Sequence, residues 1–180
     1  MDKNGITAYL ARLDRELAEP AVLYLYGSAV VILLDAPDRT SLDIDVAGPY
    51  SSGNQAGIAR ASERAGLPVN PDSSYSGDHL EWVGPLRLCL PPPRDDGLTL
   101  WRGKNVTVRS GSVPDLIASK LIRYDETDQA DIQYLCAQFP CDCSAVREAV
   151  SRLPPPFNTD PLVLDNLANL QNDLRLWRGE

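Results

Sequence analysis

Residues 22–46, VLYLYGSAVVILLDAPDRTSLDIDV, constrain the fold of this chain more than any other stretch. The stretch opens with the run VLYLY, whose length and content of β-branched and aromatic residues predict a buried strand. Gly27 and Ser28 end that run, and the apolar residues after them predict the start of a buried helix. A polar turn then leads to residues 42–46, whose alternation of apolar and acidic residues predicts a second strand.

The second predicted strand carries Asp43 and Asp45 on one face, because successive side chains of a strand point to opposite faces. Two neighbouring carboxylates repel each other unless a positive charge lies between them, and oxygen ligands of this kind suit Mg²⁺. Gly27 and Ser28 lie where a strand meets a helix N-terminus, at which free backbone N–H groups favour an anion such as a phosphate. Together the two features indicate chemistry on a nucleoside triphosphate.

The order of these residues, Gly27-Ser28, a helix, then Asp43-x-Asp45, resembles the first motif of the nucleotidyltransferase superfold. With residues 38–40 (Asp-Arg-Thr) before the Asp pair, it is similar to the bacterial AbiEii-like and minimal nucleotidyltransferase families, which include toxins of toxin–antitoxin systems. The resemblance implies that Asp43 and Asp45 hold Mg²⁺ or Mn²⁺ and that Gly27 and Ser28 bind the nucleotide. The alternative is a common Gly-Ser turn and the solvated face of an edge strand.

The stretch DLIASKLIRYDETDQADIQYL, residues 115–135, carries a second part of the resemblance. Those families show an Asp-Leu-x-x-x-Lys helix followed by a helix with Asp-x-x-Asp. Matched in this way, Lys120 and Asp131 are implied to be catalytic, and Lys120 and Asp128 to bind the nucleotide. The alternative is a salt bridge between Lys120 and the two aspartates within a helical hairpin.

A third metal-binding carboxylate is common in the superfold, and we identify no motif that supplies one. Asp78 and Glu81 flank or lie in the predicted strand at residues 79–83 without matching a family pattern. His79 is the only histidine of the chain, and we predict a surface or hydrogen-bonding role for it. These observations leave open a catalytically degenerate protein that keeps the fold and acts through nucleotide or partner binding.

The rest of the chain predicts an α+β fold, a small mixed β-sheet with helices followed by a C-terminal helical segment. We expect a nucleotidyltransferase-like core over residues 1–112 and a helical segment packed on it over residues 113–180. Helical periodicity and turn residues predict the remaining elements. These are helices at 6–17, 55–65, 115–124, 128–139, 144–153 and 161–177, and strands at 79–83, 86–90, 98–101 and 106–109.

Composition limits the classes of partner. The formal net charge is −8, which argues against a surface that serves as a whole as a nucleic-acid track, since phosphate binding depends on Lys and Arg. No apolar run approaches the length of a transmembrane helix, and the N-terminal residues do not form a signal peptide, so we expect no membrane association. The 4 cysteines are unevenly spread and suit the reduced thiols of a cytoplasmic protein.

The leading hypothesis is an enzyme that moves a nucleoside monophosphate from a nucleoside triphosphate to an acceptor. The resemblance implies a tRNA or protein acceptor and, for the toxin of a toxin–antitoxin pair, an antitoxin partner. A degenerate nucleotidyltransferase-fold protein is one alternative. Another is a small-molecule nucleotidyltransferase of the aminoglycoside type, whose cationic acceptor would suit an acidic protein.

Overall fold

Five strands pair into one mixed sheet in the computed structural model, which describes residues 1–178. Their order across the sheet is β3-β2-β1-β5-β4. The outer pairs differ, since β2 and β3 are parallel and β4 and β5 are antiparallel; in the centre, β1 runs antiparallel to β2 and parallel to β5. The strands are β1 (Ala21–Leu25), β2 (Asp43–Ala47), β3 (His79–Val83), β4 (Leu98–Arg102) and β5 (Val106–Ser110).

Seven α-helices accompany the sheet within the described residues. They are α1 (Lys3–Glu16), α2 (Ser28–Leu33), α3 (Gln55–Arg64), α4 (Val113–Lys120), α5 (Glu126–Gln138), α6 (Cys143–Ser151) and α7 (Pro161–Arg178). The fold is therefore mixed α+β with C-terminal helices, as the sequence predicts. Over residues 1–178, no helix is both long enough and apolar enough to cross a membrane.

The chain divides into two compact units. The first contains residues 1–88 and 97–110, and therefore the whole sheet with α1, α2 and α3. The second contains residues 89–96 and the chain from Gly111 onward, which forms α4 to α7. The loop at 89–96 thus belongs to the helical unit although it precedes the last two strands of the first unit.

The core of the first unit explains why its elements form where they do. In α1, Ile6, Leu10 and Leu13 recur at helical spacing, and each is 0% exposed. The carboxylate of Asp2 caps the N-terminus of this helix by accepting a hydrogen bond from the backbone N–H of Gly5 at 2.7 Å. Apolar side chains of the strands fill the same core, among them Leu23, Leu25, Ile44, Val46, Leu80 and Val108.

Asp14 fixes the loop between β4 and β5 against α1. Its carboxylate accepts hydrogen bonds from the backbone N–H groups of Lys104, Asn105 and Val106 at 3.1, 2.7 and 2.7 Å. Partial burial alone would raise the pKa of this carboxyl, but the three backbone donors outweigh it and lower the pKa below its ordinary value. A helix residue thereby satisfies the donors of a hairpin turn.

Two sequence predictions of strands need correction. Residues 86–90 form no strand; residues 85–87 form a turn, and Leu86 is 93% exposed. The backbone N–H of Arg87 donates to the carbonyl oxygen of Gly84 at 3.2 Å, which closes a turn at whose second position the fixed φ of Pro85 is favoured. The three prolines at 91–93 cannot donate to a ladder, so a strand could not continue past residue 90. The strand predicted at 42–46 begins one residue later, at Asp43, and Leu42 is 59% exposed outside it.

Candidate metal centre

Four polar side chains share one face of the neighbouring strands β2 and β3. In the parallel register, Asp43 lies beside His79 and Asp45 beside Glu81. Residues that face each other in register point to the same side of a sheet, so all four project together. Each is half-buried, whereas Ile44, which alternates with the two aspartates, is 1% exposed in the core. The alternation predicted for β2 is therefore present and continues on β3.

Three of these side chains form a compact donor set. One carboxylate oxygen of Asp43, one of Glu81 and one ring nitrogen of His79 all lie within 4.8 Å of one another. Two ligands on opposite sides of one ion stand about 4 Å apart when each bond is about 2.1 Å long. Donor atoms within 4.8 Å of one another are close enough for small side-chain rotations to bring all three onto one divalent cation. The donor set contains an acid, Glu81, that the sequence motif does not include.

Neighbouring groups orient the two carboxylates of this donor set. The Ser41 hydroxyl donates to Oδ1 of Asp43 at 2.6 Å, and Nη2 of Arg87 donates to Oε1 of Glu81 at 2.6 Å. The Arg87 side chain is 74% exposed, so its ion pair with Glu81 adds little to stability. Both contacts hold the carboxylates in place, as outer partners do around a metal.

Asp45 lies against the turn formed by Gly27. The backbone of Gly27 has a φ of 72°, a conformation that favours glycine, and a Cβ added there would collide with the Asp45 carboxylate. The next residue, Ser28, accepts a hydrogen bond at its hydroxyl from Nη2 of Arg39 at 3.0 Å. The structure thus brings the predicted residues Gly27, Ser28 and Asp45 to one place, with a guanidinium beside them.

The other predicted site residues form a buried network in the second unit. Nζ of Lys120 donates to Oδ1 of Asp128 at 3.0 Å and to Oδ2 of Asp131 at 2.8 Å. Lys120, Asp128 and Asp131 are 6%, 2% and 1% exposed. Burial raises the pKa of Asp128, but hydrogen bonds from Arg123 and the charge of Lys120 outweigh it, so the pKa is lowered. The helical-hairpin salt bridge expected as the alternative is present.

The sequence reading did not identify Glu81 and His79 as site residues. A signal was available, because HLEWV at 79–83 alternates polar and apolar residues as LDIDV at 42–46 does. What the sequence lacked was the pairing of β3 with β2, a contact between strands that are more than thirty residues apart in the chain. That pairing places His79 beside Asp43 and Glu81 beside Asp45.

Comparison of the chain with protein-family models, with curated proteins and with solved structures found no match.

Proposed function

We propose that this protein is a metal-dependent nucleotidyltransferase, which moves a nucleoside monophosphate from a nucleoside triphosphate to an RNA or protein acceptor. One observation carries the proposal: Asp43, Asp45 and Glu81 lie on the same face of two paired strands, and the Gly27 turn packs against Asp45. A carboxylate platform beside a glycine turn is an arrangement that can hold a cation and a phosphate together.

The carboxylates proposed to hold Mg²⁺ or Mn²⁺ are Asp43 and Asp45, the pair that the resemblance implies, together with Glu81. Asp43 and Glu81 belong to the compact donor set, and Asp45 lies outside it, beside Glu81 on the same face. Such an ion neutralises charge on the phosphates and aligns the acceptor oxygen with the α-phosphorus. In the first unit, Gly27 leaves room for a phosphate to approach the backbone. Ser28 offers a hydroxyl there, and the Arg39 guanidinium next to it supplies positive charge for the phosphate oxygens.

The roles proposed for Lys120, Asp128 and Asp131 are contact with the nucleotide and assistance to transfer. A mobile ammonium would stabilise the charge that develops on the departing pyrophosphate. In the second unit this ammonium is already paired with two buried carboxylates. That pairing favours a second candidate function, a protein of the same fold that binds a nucleotide or a partner without transferring the nucleotide.

The acceptor class and the partner come from the resemblance alone. It suggests a tRNA end or a protein side chain as acceptor, and an antitoxin as the partner of a toxin. A small-molecule acceptor of the aminoglycoside type is the alternative that the acidic charge of −8 favours, because such acceptors are cationic.

A labelling experiment tests the proposal. The full chain, without an affinity tag, is incubated with α-³²P-labelled nucleoside triphosphates, Mg²⁺ or Mn²⁺, and a panel of tRNA, protein and aminoglycoside acceptors. We expect metal-dependent labelling of one acceptor class, and a fall of about a hundredfold or more in the variants Asp43→Asn and Glu81→Gln, since each loses a charge from the metal site.

The matched control is Glu63→Gln, an exposed acid on α3, which should label as the parent chain does. Each variant is first compared with the parent chain by circular dichroism and thermal unfolding, so that loss of folding is recognised. Labelling that survives Asp43→Asn would contradict the proposed site. Nucleotide binding without labelling of any acceptor would favour the non-transferring candidate instead.

A further inference from the structure

His79 offers the donor set on β2 and β3 a nitrogen, which a magnesium site does not need. Mg²⁺ binds almost entirely through oxygen and keeps several waters, whereas imidazole suits borderline transition metals. A ring nitrogen of His79 lies within 4.8 Å of the ligand oxygens of Asp43 and Glu81. The set is therefore two carboxylates and one imidazole, a combination that discriminates between these two kinds of cation.

The hydrogen bond of His79 determines which ring nitrogen is available to a metal. Nδ1 of His79 contacts the backbone carbonyl oxygen of Gly77 at 3.0 Å. A carbonyl oxygen only accepts, so Nδ1 carries the proton and donates. In the neutral ring the lone pair then resides on Nε2. Metal-binding histidines characteristically donate their other ring N–H to a backbone carbonyl or a carboxylate in this way, which fixes both tautomer and orientation.

Tyr75 gives the imidazole a second constraint. Its ring meets the His79 ring edge to face, with centroids 6.1 Å apart and planes at 90°. Among residues 1–178, the His79 ring makes a hydrogen bond with Gly77 and an aromatic contact with Tyr75, and neither uses Nε2. A ring that is held by its surroundings, with one nitrogen unused and two carboxylates close by, is organised as a ligand in advance of the metal.

We propose that His79 is a metal ligand through Nε2, together with Asp43 and Glu81, and that the site selects Mn²⁺-class transition metals over Mg²⁺. This inference deepens the metal site of the proposed function and rests on that site, but not on nucleotide transfer. Mn²⁺ is the appropriate probe, since it accepts the octahedral oxygen coordination of Mg²⁺ and also binds imidazole. Zn²⁺ and other later metals should bind at the same position.

The first measurement is spectroscopic. Because His79 is the only histidine, an imidazole ¹⁴N coupling to bound Mn²⁺ in a pulsed electron paramagnetic resonance spectrum identifies this residue without ambiguity, provided that the protein carries no histidine tag. We expect that coupling in the parent chain and its loss in His79→Asn. Mn²⁺ bound to the parent chain without a nitrogen coupling would overturn the inference.

The second measurement is affinity, by calorimetric titration with Mn²⁺ and with Mg²⁺. In His79→Asn, the amide nitrogen lies near the position of Nδ1 and can still donate to the Gly77 carbonyl, whereas no atom replaces Nε2. We expect the parent chain to bind Mn²⁺ at least tenfold more tightly than Mg²⁺, and His79→Asn to lose about tenfold in Mn²⁺ affinity while its Mg²⁺ affinity changes less than about twofold. His79→Gln, which brings an oxygen toward the position of Nε2, should shift the preference toward Mg²⁺.

Two comparisons complete the design. Asp43→Asn should weaken both metals, and Glu63→Gln, exposed on α3, should weaken neither. A Mn²⁺ to Mg²⁺ ratio that is the same in the parent chain and in His79→Asn would overturn the inference. The metal-binding measurements contain no nucleotide, so they are independent of the labelling assay. A chain that binds Mn²⁺ through His79 but labels no acceptor would contradict the proposed function and would still support this inference.

Discussion

Gly27 is the residue at which backbone conformation and site chemistry meet most closely. Its φ of 72° is one that residues with a Cβ rarely adopt, and the space where a Cβ would stand is taken by the Asp45 carboxylate. The sequence alone indicated a glycine turn before an Asp pair. It did not indicate that the second aspartate fills the place of the missing side chain, because that contact depends on how β1 and β2 pair.

Replacing Gly27 by alanine should therefore lower the stability of the fold and also disturb the candidate site. The positive φ costs about 1–3 kcal/mol of unfolding free energy, and the collision displaces the Asp45 carboxylate from its place beside the turn. Denaturant unfolding measures the first effect, and Mn²⁺ titration with acceptor labelling measures the second. We expect labelling to fall by at least tenfold in the folded variant.

Gly66 provides the matched control for this substitution. Its φ is 101°, and a Cβ added there meets nothing within 4 Å. Gly66→Ala should thus lose stability through the backbone alone and keep metal binding and labelling. If both alanine variants kept them equally well, the closeness of Gly27 to Asp45 would have no functional meaning.

At the scale of elements, the sequence predicts the strands and helices whose residue pattern lies within the element itself. The strand at 79–83 was predicted at its observed bounds, and the helix at 55–65 ends one residue earlier in the structure, at Arg64. The wrong strand at 86–90 shows the limit of that approach. Leu88, Cys89 and Leu90 are buried, as an apolar run suggests, yet they lie without strand pairing between Pro85 and the three prolines at 91–93. The apolar sequence thus predicts the burial of these three residues, but it does not predict their backbone hydrogen bonds.

The hairpin of α4 and α5 is the element in which a structural role and a catalytic role compete for the same residue. Lys120 lies with its ammonium between Asp128 and Asp131, and all three side chains are buried. Removing one partner of a buried ion pair typically costs about 3–5 kcal/mol, because the remaining charge stays away from water. We therefore expect Lys120→Met to lose about that much unfolding free energy, as measured by urea denaturation.

The pH dependence of the stability of that variant should be weaker than that of the parent chain. The pKa of Asp128 is lowered in the folded state, so its stabilising contribution is complete above the ordinary value of 3.8 and is lost as the pH falls through the lowered pKa. In Lys120→Met the charge of the ammonium is lost, but the two hydrogen bonds from Arg123 to Asp128 remain. The pKa of Asp128 should then lie closer to its ordinary value, so urea denaturation at several pH values should show a smaller loss of stability in acid than in the parent chain.

Lys3→Met is the control for this ion pair. Nζ of Lys3 lies 2.6 Å from the Asp35 carboxylate, but the two side chains are 42% and 75% exposed, so loss of this pair should change stability by less than about 1 kcal/mol. A Lys120→Met protein that is as stable as the parent chain, yet labels no acceptor, would show that Lys120 acts in catalysis rather than in the hairpin.

At the scale of the whole molecule, the formal net charge follows directly from the sequence. The net charge of −8 belongs to a chain whose proposed substrate, a nucleoside triphosphate, is itself an anion. Asp43, Asp45 and Glu81 share one face of β2 and β3, so a cation bound there would reduce the repulsion that a triphosphate meets. Positive charge also lies beside these acids, since the Arg39 guanidinium contacts Ser28 and the Arg87 guanidinium contacts Glu81. Neither contact follows from the sequence alone.

The charge of the whole molecule also separates the acceptor classes by the effect of salt. Raising the ionic strength from about 0.01 to 0.1 M shortens the screening length from about 30 to 10 Å, which weakens repulsion and attraction alike. An RNA acceptor is repelled by an acidic protein, so its KM should fall with added KCl by about two- to threefold. A cationic aminoglycoside is attracted, so its KM should rise.

Labelling rates at several acceptor concentrations, with metal and nucleotide saturating at each salt level, give both KM values. A KM for RNA that rises steeply with salt, as in proteins that bind nucleic acid through Lys and Arg, would mean that a basic surface rather than the net charge governs the approach of the acceptor.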